Sequence, residues 1–350
     1  MTISDRKTSH LRLCAEDDVE SRLKTSLLED VELFHDSLPE LAVDQIDLSI
    51  EVLGRRLQAP LLITGMTGGA TRAGEINRLL AGVAEQLGIA FGVGSQRAML
   101  KDAALLATYQ VREVAPTALI LGNIGAVQAA ALSLAEAEDL VAAIGADALC
   151  IHLNPGQEII QPEGDRDFRG CLDGIARLVG ALSVPVIVKE TGSGLSPRTL
   201  DRLKAAGVGW VDTSGAGGTT WIGVETLRAT PHKQSVGEQF WDWGVPTAAS
   251  IVYAKRRGFS VIGSGGLRSG LDAAKAVALG ASLAGMALPW LRAAHELGEA
   301  GALAYGHTSI DALRTACLLT GSKDLAELQS APRMLGSRLR AWLDADLARN

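Results

Sequence analysis

Eight short apolar runs, each ending in polar or glycine residues, constrain this chain more than any other feature. They are Leu61–Gly65, Ile89–Val93, Ala118–Asn123, Ala148–Leu153, Val186–Lys189, Trp210–Thr213, Ser260–Gly263 and Leu283–Ala287. Their length and composition predict buried strands, and Ala/Leu/Glu-rich stretches such as Ala73–Leu87, Thr199–Ala206 and Ser269–Leu279 predict helices between them. Strands alternating with helices imply an α/β fold with a parallel sheet, and eight such units close naturally into a (β/α)8, or TIM, barrel. A doubly wound open sheet is the alternative, because periodicity carries no signal of closure. The 39 glycines suit the many tight turns of either fold.

Residues 1–55 are expected to form an N-terminal arm or lid, with a helical pattern over Asp17–Phe34. Residues 56–295 would make the barrel core, and residues 296–350 C-terminal helices, with Asp311–Leu347 reading as helical. The long gap between strands six and seven holds His232, Trp241, Trp243 and Pro246 and predicts an insertion with an extra helix or flap. No repeat, low-complexity tract or Pro-rich linker divides the chain, so one domain is expected. Hydrophobic residues at 47% and charged residues at 21% support a large core and exclude global disorder. A net charge of −7 argues against nucleic-acid and membrane-surface partners. The uncharged run between Lys275 and Arg292 falls short of the roughly 20 apolar residues of a spanning helix. Asp5, Arg6, Lys7 and His10 leave no signal-peptide core at the N-terminus, and Cys14, Cys150, Cys171 and Cys317 have no CxxC spacing. A soluble, cytoplasmic protein is expected.

The residues just after each strand carry the functional signal, since barrel active sites are built at the strand C-termini. The strand ends deliver Met66-Thr67-Gly68-Gly69, Gly94-Ser95-Gln96-Arg97, Asn123, His152-Leu153-Asn154-Pro155-Gly156-Gln157-Glu158, Lys189-Glu190, Ser214–Thr219 and Ser264–Arg268. Ser264-Gly265-Gly266 before a helix, with Ala287-Leu288 after strand eight, suggests a phosphate cradle, although none of the loops is a Walker A motif. Lys189 ends an apolar run where an unpaired cation would be costly. It reads as a Schiff-base nucleophile, as a structural ion pair or as a cation facing a cofactor. Glu158 is the one plausible metal carboxylate of its loop, and a single carboxylate with substrate phosphates commonly holds Mg²⁺. Arg6, Lys7, His10 and Arg12 form a basic cluster that reads as a solvated tail, or, if the arm folds over the rim, as a site for a phosphorylated substrate with Arg97. Trp221 and Glu225 share a helical face, giving an apolar wall and an acid/base, or merely core packing and a solvated charge.

Taken together in order, these segments resemble the type 2 (FMN-dependent) isopentenyl-diphosphate isomerases. The resemblance rests on Arg6-Lys7-x-x-His10-Leu11, Met66-Thr67-Gly68-Gly69, Gly94-Ser95-Gln96-Arg97 and His152-Leu153-Asn154-x-x-Gln157-Glu158. It continues through Gln161-Pro162-Glu163-Gly164, Lys189-Glu190, Ser214-Gly215-x-Gly217-Gly218-Thr219-x-Trp221 and Ser264-Gly265-Gly266. It implies an FMN-bound TIM barrel that interconverts isopentenyl and dimethylallyl diphosphate, with reduced FMN as acid/base, NADPH or NADH as reductant and Mg²⁺ on Glu158. FMN would contact Gly65, Met66, Thr67, Ser95, Asn123, Lys189, Ser214 and Thr219, with its phosphate among Gly265, Gly266, Leu267, Ala287 and Leu288. The diphosphate substrate would meet Arg6, Lys7, His10, Ser95, Gln96, Arg97 and His152, with Gln157 and Trp221 facing the isoprenyl carbons. Gln157, Glu225, Lys189 and His152 are the candidate catalytic residues. A homo-tetramer or homo-octamer is also implied. The competing readings are an FMN oxidoreductase of the 2-hydroxyacid oxidase or inosinate dehydrogenase kind, a lysine aldolase and a non-catalytic interaction protein.

Overall fold

The computed structural model describes residues 3–347, so positions 1–2 of the expected arm and 348–350 of the expected C-terminal helices lie outside the described residues. Eight parallel strands close into a barrel: β1 Leu61–Ile63, β2 Ala90–Gly92, β3 Ile120–Gly125, β4 Ala148–His152, β5 Val186–Lys189, β6 Trp210–Asp212, β7 Ser260–Ser264 and β8 Leu283–Met286. Neighbours in the barrel are neighbours in sequence, and β8 returns to β1 with Met286 opposite Ile63. This is the TIM barrel expected from the eight runs, and the open sheet is set aside.

The continuous apolar character of the strands follows from burial on both faces. In β1, Leu62 joins Ala90, Leu121, Cys150, Ile187, Ile262 and Leu283 inside the barrel, whereas Leu61 and Ile63 pack outward beneath the helices. Each large side chain so buried contributes roughly 1.5–3 kcal/mol. A hairpin of Ile50–Val52 and Arg55–Leu57 precedes β1, and its Val52 and Leu57 close the interior cluster at the N-terminal mouth.

Six helices frame the opposite mouth: α1 Ile3–Glu16, α2 Thr71–Leu87, α3 Pro155–Ile160, α4 Trp221–Thr226, α5 Gly270–Ala278 and α6 Leu288–Leu319. The arm lies over the rim of its own barrel. Leu11 and Cys14 of α1 pack with Ala70 and Ala73 at the start of α2, Val224 of α4, and Leu288 and Leu291 of α6. The insertion after β6 contains α4, a helix at Pro231–Gln239 and a helix at Thr247–Arg256. Trp241 is buried there, while Trp243 is exposed.

Two expectations are corrected. Asp17–Phe34 is not helical: it runs as an extended strap whose strand Val31–Leu33 pairs antiparallel with Arg333–Leu335. Tertiary acceptors take the amides that a helix would need. Asp242 accepts from the backbone N–H of Arg22, Leu23 and Lys24, and Gly218 O accepts from Ser21 N–H. The N-terminal helix is instead Ile3–Glu16. The tail is helical over residues 311–319, the end of α6, and at Leu325–Ser330 and Ser337–Leu347, but a turn after Leu319 and the Arg333–Leu335 strand after Pro332 interrupt it. Among the described residues no helix is long and apolar enough to cross a membrane.

Candidate active site

A cavity of about 1460 Å³, measured out to its open mouth, lies at the C-terminal ends of the strands. Strand register decides which side chains reach it. His152 is paired with Lys189, and Lys189 with Asp212, so three adjacent strands end in polar groups at one level. Of the residues singled out from sequence, Arg6, Lys7, His10, Gly65, Met66, Thr67, Ser95, Arg97, Asn123, His152, Gln157, Glu158, Lys189, Ser214, Thr219, Trp221, Gly265, Gly266, Leu267, Ala287 and Leu288 all line this space.

Two do not. Gln96 has no exposed surface: its amide N–H donates to Leu140 O at 3.0 Å and its oxygen accepts from Asn123 N–H at 2.8 Å. Its expected contact with substrate is therefore corrected to a structural role, because the strand-end backbone had unfilled groups that this amide satisfies. Glu225, also wholly buried, stands behind the cavity wall and reaches it only through neighbours. Arg12, from the same basic cluster as Arg6, faces outward and pairs with Glu16 and Asp17.

The β4 loop organises the cavity's centre. Asn123 donates through Nδ2 to Val93 O at 3.1 Å, which turns Oδ1 toward His152 Nδ1 at 2.8 Å. Burial, then the positive charges of Lys189, Lys7 and Arg97, push the His152 pKa down to about 3. The ring is neutral at pH 7, with the proton on Nδ1 and a lone pair on Nε2. Pro155 opens α3, where its missing N–H costs nothing, and the turn brings Gln157 and Glu158 inward. Asn154 Nδ2 donates to Gln157 Oε1 at 3.2 Å and to Glu158 Oε1 at 3.0 Å, and Gln157 Nε2 donates to Glu225 Oε1 at 3.2 Å. Glu158 Oε2 also accepts from Asp165 N–H at 2.6 Å.

Glu225 gathers several donors. Besides Gln157 it meets His10 Nε2 at 2.9 Å and Arg228 Nη1 at 2.6 Å. Gln161, with its amide oriented to satisfy both neighbours, donates to Glu225 at 3.1 Å and accepts from Arg6 at 2.6 Å. Burial pushes the Glu225 pKa up, but the His10 hydrogen bond and charge, the Arg228 charge and the Gln157 amide outweigh it and hold the carboxyl below its ordinary value. His10 is pushed down by burial, more than Glu225 can raise it.

On the other side, Lys189 Nζ donates to Glu190 O at 2.5 Å. No carboxylate lies within ion-pair distance of it among the described residues, which removes the simple structural ion-pair reading. Asp212 accepts from Ser214 N–H at 3.3 Å and from Ser264 Oγ, and burial raises its pKa against the Lys189 charge. The Gly-rich loops interlock here. A Cβ on Gly265, where φ is +103°, would fall 2.2 Å from Gly215 N, and one on Gly65 would fall 2.1 Å from Val93 O. Thr67 Oγ1 is buried without a hydrogen-bond partner.

Sequence reading did not assign roles to Arg228 or Gln161. Each carried a helical-spacing signal: Arg228 lies three residues after Glu225, and Gln161 four after Gln157. Among the described residues no three His, Cys, Asp or Glu side chains gather as a metal cluster.

Comparison with known proteins gives findings of three kinds. A model of the FMN-dependent dehydrogenase family matches residues 156–334. The chain is 48% identical over 336 residues to an isopentenyl-diphosphate delta-isomerase of Methanosarcina barkeri, covering 95% of this chain and 92% of the relative. It is 47% identical over 345 residues to the protein of that name from Methanothermobacter thermautotrophicus, covering 98% and 96%. Among solved structures, a mandelate oxidase superposes with a TM-score of 0.64 at 18% identity over 96% of this chain and 100% of the other, a likeness of fold.

Proposed function

This chain belongs to the FMN-dependent isopentenyl-diphosphate delta-isomerases, and from that premise we propose a division of labour among its own residues. The cavity fits a flavin mononucleotide: the backbone of Gly65, Gly94, Gly265 and Gly266 lines it without side chains, and a buried Thr67 hydroxyl lacks a partner, which suits a ligand with a phosphate and a polar chain. Gly265, Gly266, Leu267, Ala287 and Leu288 would hold its phosphate, and Gly65, Met66, Thr67, Ser95, Asn123, Lys189, Ser214 and Thr219 the remainder. Bound in its reduced form, FMN supplies an electron-rich ring and a protonatable nitrogen. NADPH or NADH would be needed only to reach that form. Lys189, anchored on Glu190 O, supplies positive charge that favours an anionic ring.

The substrate's diphosphate would be met by Arg6, Lys7, His10, Ser95 and Arg97, and by His152 once the anion's charge lets Nε2 take up a proton. Glu158 keeps lone pairs beyond its two hydrogen bonds, so one Mg²⁺ shared with the diphosphate is compatible with the site. Moving the alkene requires a proton to arrive at one carbon and another to leave a neighbour, with positive charge developing between them. Gln157, fixed by Asn154 on one side and Glu225 on the other, would face those carbons, with ionised Glu225 behind it as a negative charge. Trp221 completes an apolar wall that excludes water. Assembly into a homo-tetramer or homo-octamer belongs to the same proposal.

The observation that carries this reading is the convergence of three arm and rim cations, Arg6, Lys7 and Arg97, on the cavity that also holds the Gln157–Glu225 pair. The test is anaerobic turnover of isopentenyl diphosphate in D₂O with FMN, Mg²⁺ and sub-stoichiometric NADPH. Many deuterated dimethylallyl diphosphate molecules per NADPH are expected. No product, with oxidation of a hydroxy acid instead, would overturn it in favour of an oxidoreductase on the same fold.

A further inference from the structure

The Glu225 cluster spans three separate pieces of chain. From α1 come His10, with Nε2 2.9 Å from Glu225 Oε1, and Arg6, 3.4 Å from Glu163 Oε1. From the turn after α4 comes Arg228, 2.6 Å from Glu225 Oε2, 4.0 Å from Glu163 Oε1 and 3.1 Å from His10 Nε2. From α3 and the turn after it come Gln157, Gln161 and Glu163. Arg228 is the one member in contact with a carboxylate on each side and with the arm's histidine between them, and its side chain is only 7% exposed. His10 Nε2 serves one of its two neighbours at a time: protonated, it donates to Glu225, and unprotonated, it accepts from Arg228.

We propose that Arg228 is a positioning residue that couples closure of the N-terminal helix over the cavity to the orientation of Glu225 and, through it, Gln157. This rests on the isomerase reading for its effect on turnover, but the coupling itself is a property of the fold. The guanidinium's planar fork suits it to bridge Glu225 and Glu163 at fixed angles, which an ammonium does less well. Remove it, and Glu225 loses one of its compensating charges while α1 loses part of its tether. The charged and titratable groups that face Glu225 are His10 and Lys7 from α1, Arg228 from the turn after α4, and Cys14, a more distant neighbour in α1. Of these, only Arg228 is a permanent cation that also contacts the arm.

The test compares the FMN- and Mg²⁺-loaded wild type with Arg228→Met, Arg228→Lys and Glu163→Gln. Two readouts are needed: the pH profile of isopentenyl diphosphate turnover, and amide hydrogen exchange of residues 6–14. Arg228→Met should lower kcat about 100-fold, as misplacing a positioned group does, and move the acid limb up by about one pH unit. It should also accelerate exchange across α1. Arg228→Lys should restore most of the acid limb and less of the exchange protection. Glu163→Gln, at a half-exposed rim position, should loosen α1 and raise KM without moving the acid limb. An unmoved acid limb in Arg228→Met, or α1 exchange equal to wild type, would overturn the proposal. Absence of isomerase turnover in the wild type would instead sink the functional reading, and the exchange comparison, which needs no turnover, would still decide the coupling.

Discussion

The two mouths of the barrel are framed by the same eight strands and treat charge in opposite ways. At the N-terminal mouth, Asp147 accepts from Arg55 at 2.7 Å, from Arg112 at 2.5 Å and from the Ile120 N–H at 2.8 Å, so its carboxylate is satisfied by permanent protein partners. Val52 and Leu57 then seal the end with apolar surface. At the C-terminal mouth, Lys7 lies among Arg6 and Arg97, with Glu225 as the opposing charge, and Thr67 Oγ1 is buried without a partner. One end commits its polar groups to the fold. The other keeps them for a ligand, at a cost in stability that the well-packed core offsets.

That contrast can be broken first at Gln157. Gln157→Ala should lower kcat by about 10²-fold or more, as loss of a group positioned against the reacting carbons does, with little change in melting temperature. Steady-state kinetics beside a thermal melt checks both halves. Asp147→Asn should do the reverse: weakening its pairs with the partly exposed Arg55 and Arg112 costs roughly 1–2 kcal/mol in denaturant unfolding while turnover per folded molecule stays within twofold. If Asp147→Asn damaged kcat as much as Gln157→Ala, the separation of structural and functional mouths would be wrong.

Lys7 sharpens the comparison through pH. Burial, with repulsion from Arg6, brings its pKa down from 10.5 to about 8, despite the pull of Glu225. KM for the diphosphate substrate should therefore be flat below pH 8 and rise above it as the ammonium loses its proton. Lys7→Met should raise KM about tenfold at pH 7 and abolish that rise. Between about pH 8 and 10.5 the unfolded chain holds this proton more tightly, so ligand-free stability should increase with pH there, and not in the variant.

The smallest change concerns Glu190. Its carboxylate accepts from the N–H groups of Thr191, Gly192 and Ser193, yet burial raises its pKa to about 7. A folded pKa above the unfolded one means that its stabilising contribution is complete below the unfolded value and lost as pH rises through 7. Glu190→Gln should flatten the melting-temperature profile between about pH 4.5 and 7, with kcat within a few-fold of wild type. An undiminished slope would place the titrating group elsewhere.

The eight strands were legible because burial on both faces demands apolar runs, and the rim was legible because each run stops at polar or glycine residues. Arg228 and Gln96 show the limit. Gln96 sits between Ser95 and Arg97 in the same motif, and nothing in that string distinguishes a side chain turned into the cavity from one turned to Leu140 and Asn123. Asp17–Phe34 failed for a related reason: its apolar spacing suits a helix, but Asp242 and Gly218, some 200 residues away, take its amides.

From the order of its residues alone, this chain is committed to alternating strands and helices, and to an end of the barrel where polar side chains collect, because period and burial are local properties. Which of those side chains meet depended on closure. Only the folded barrel brings α1 over its own rim and sets His10, Gln157, Gln161 and Arg228 around Glu225, since hydrogen bonds between segments up to 218 residues apart leave no local trace.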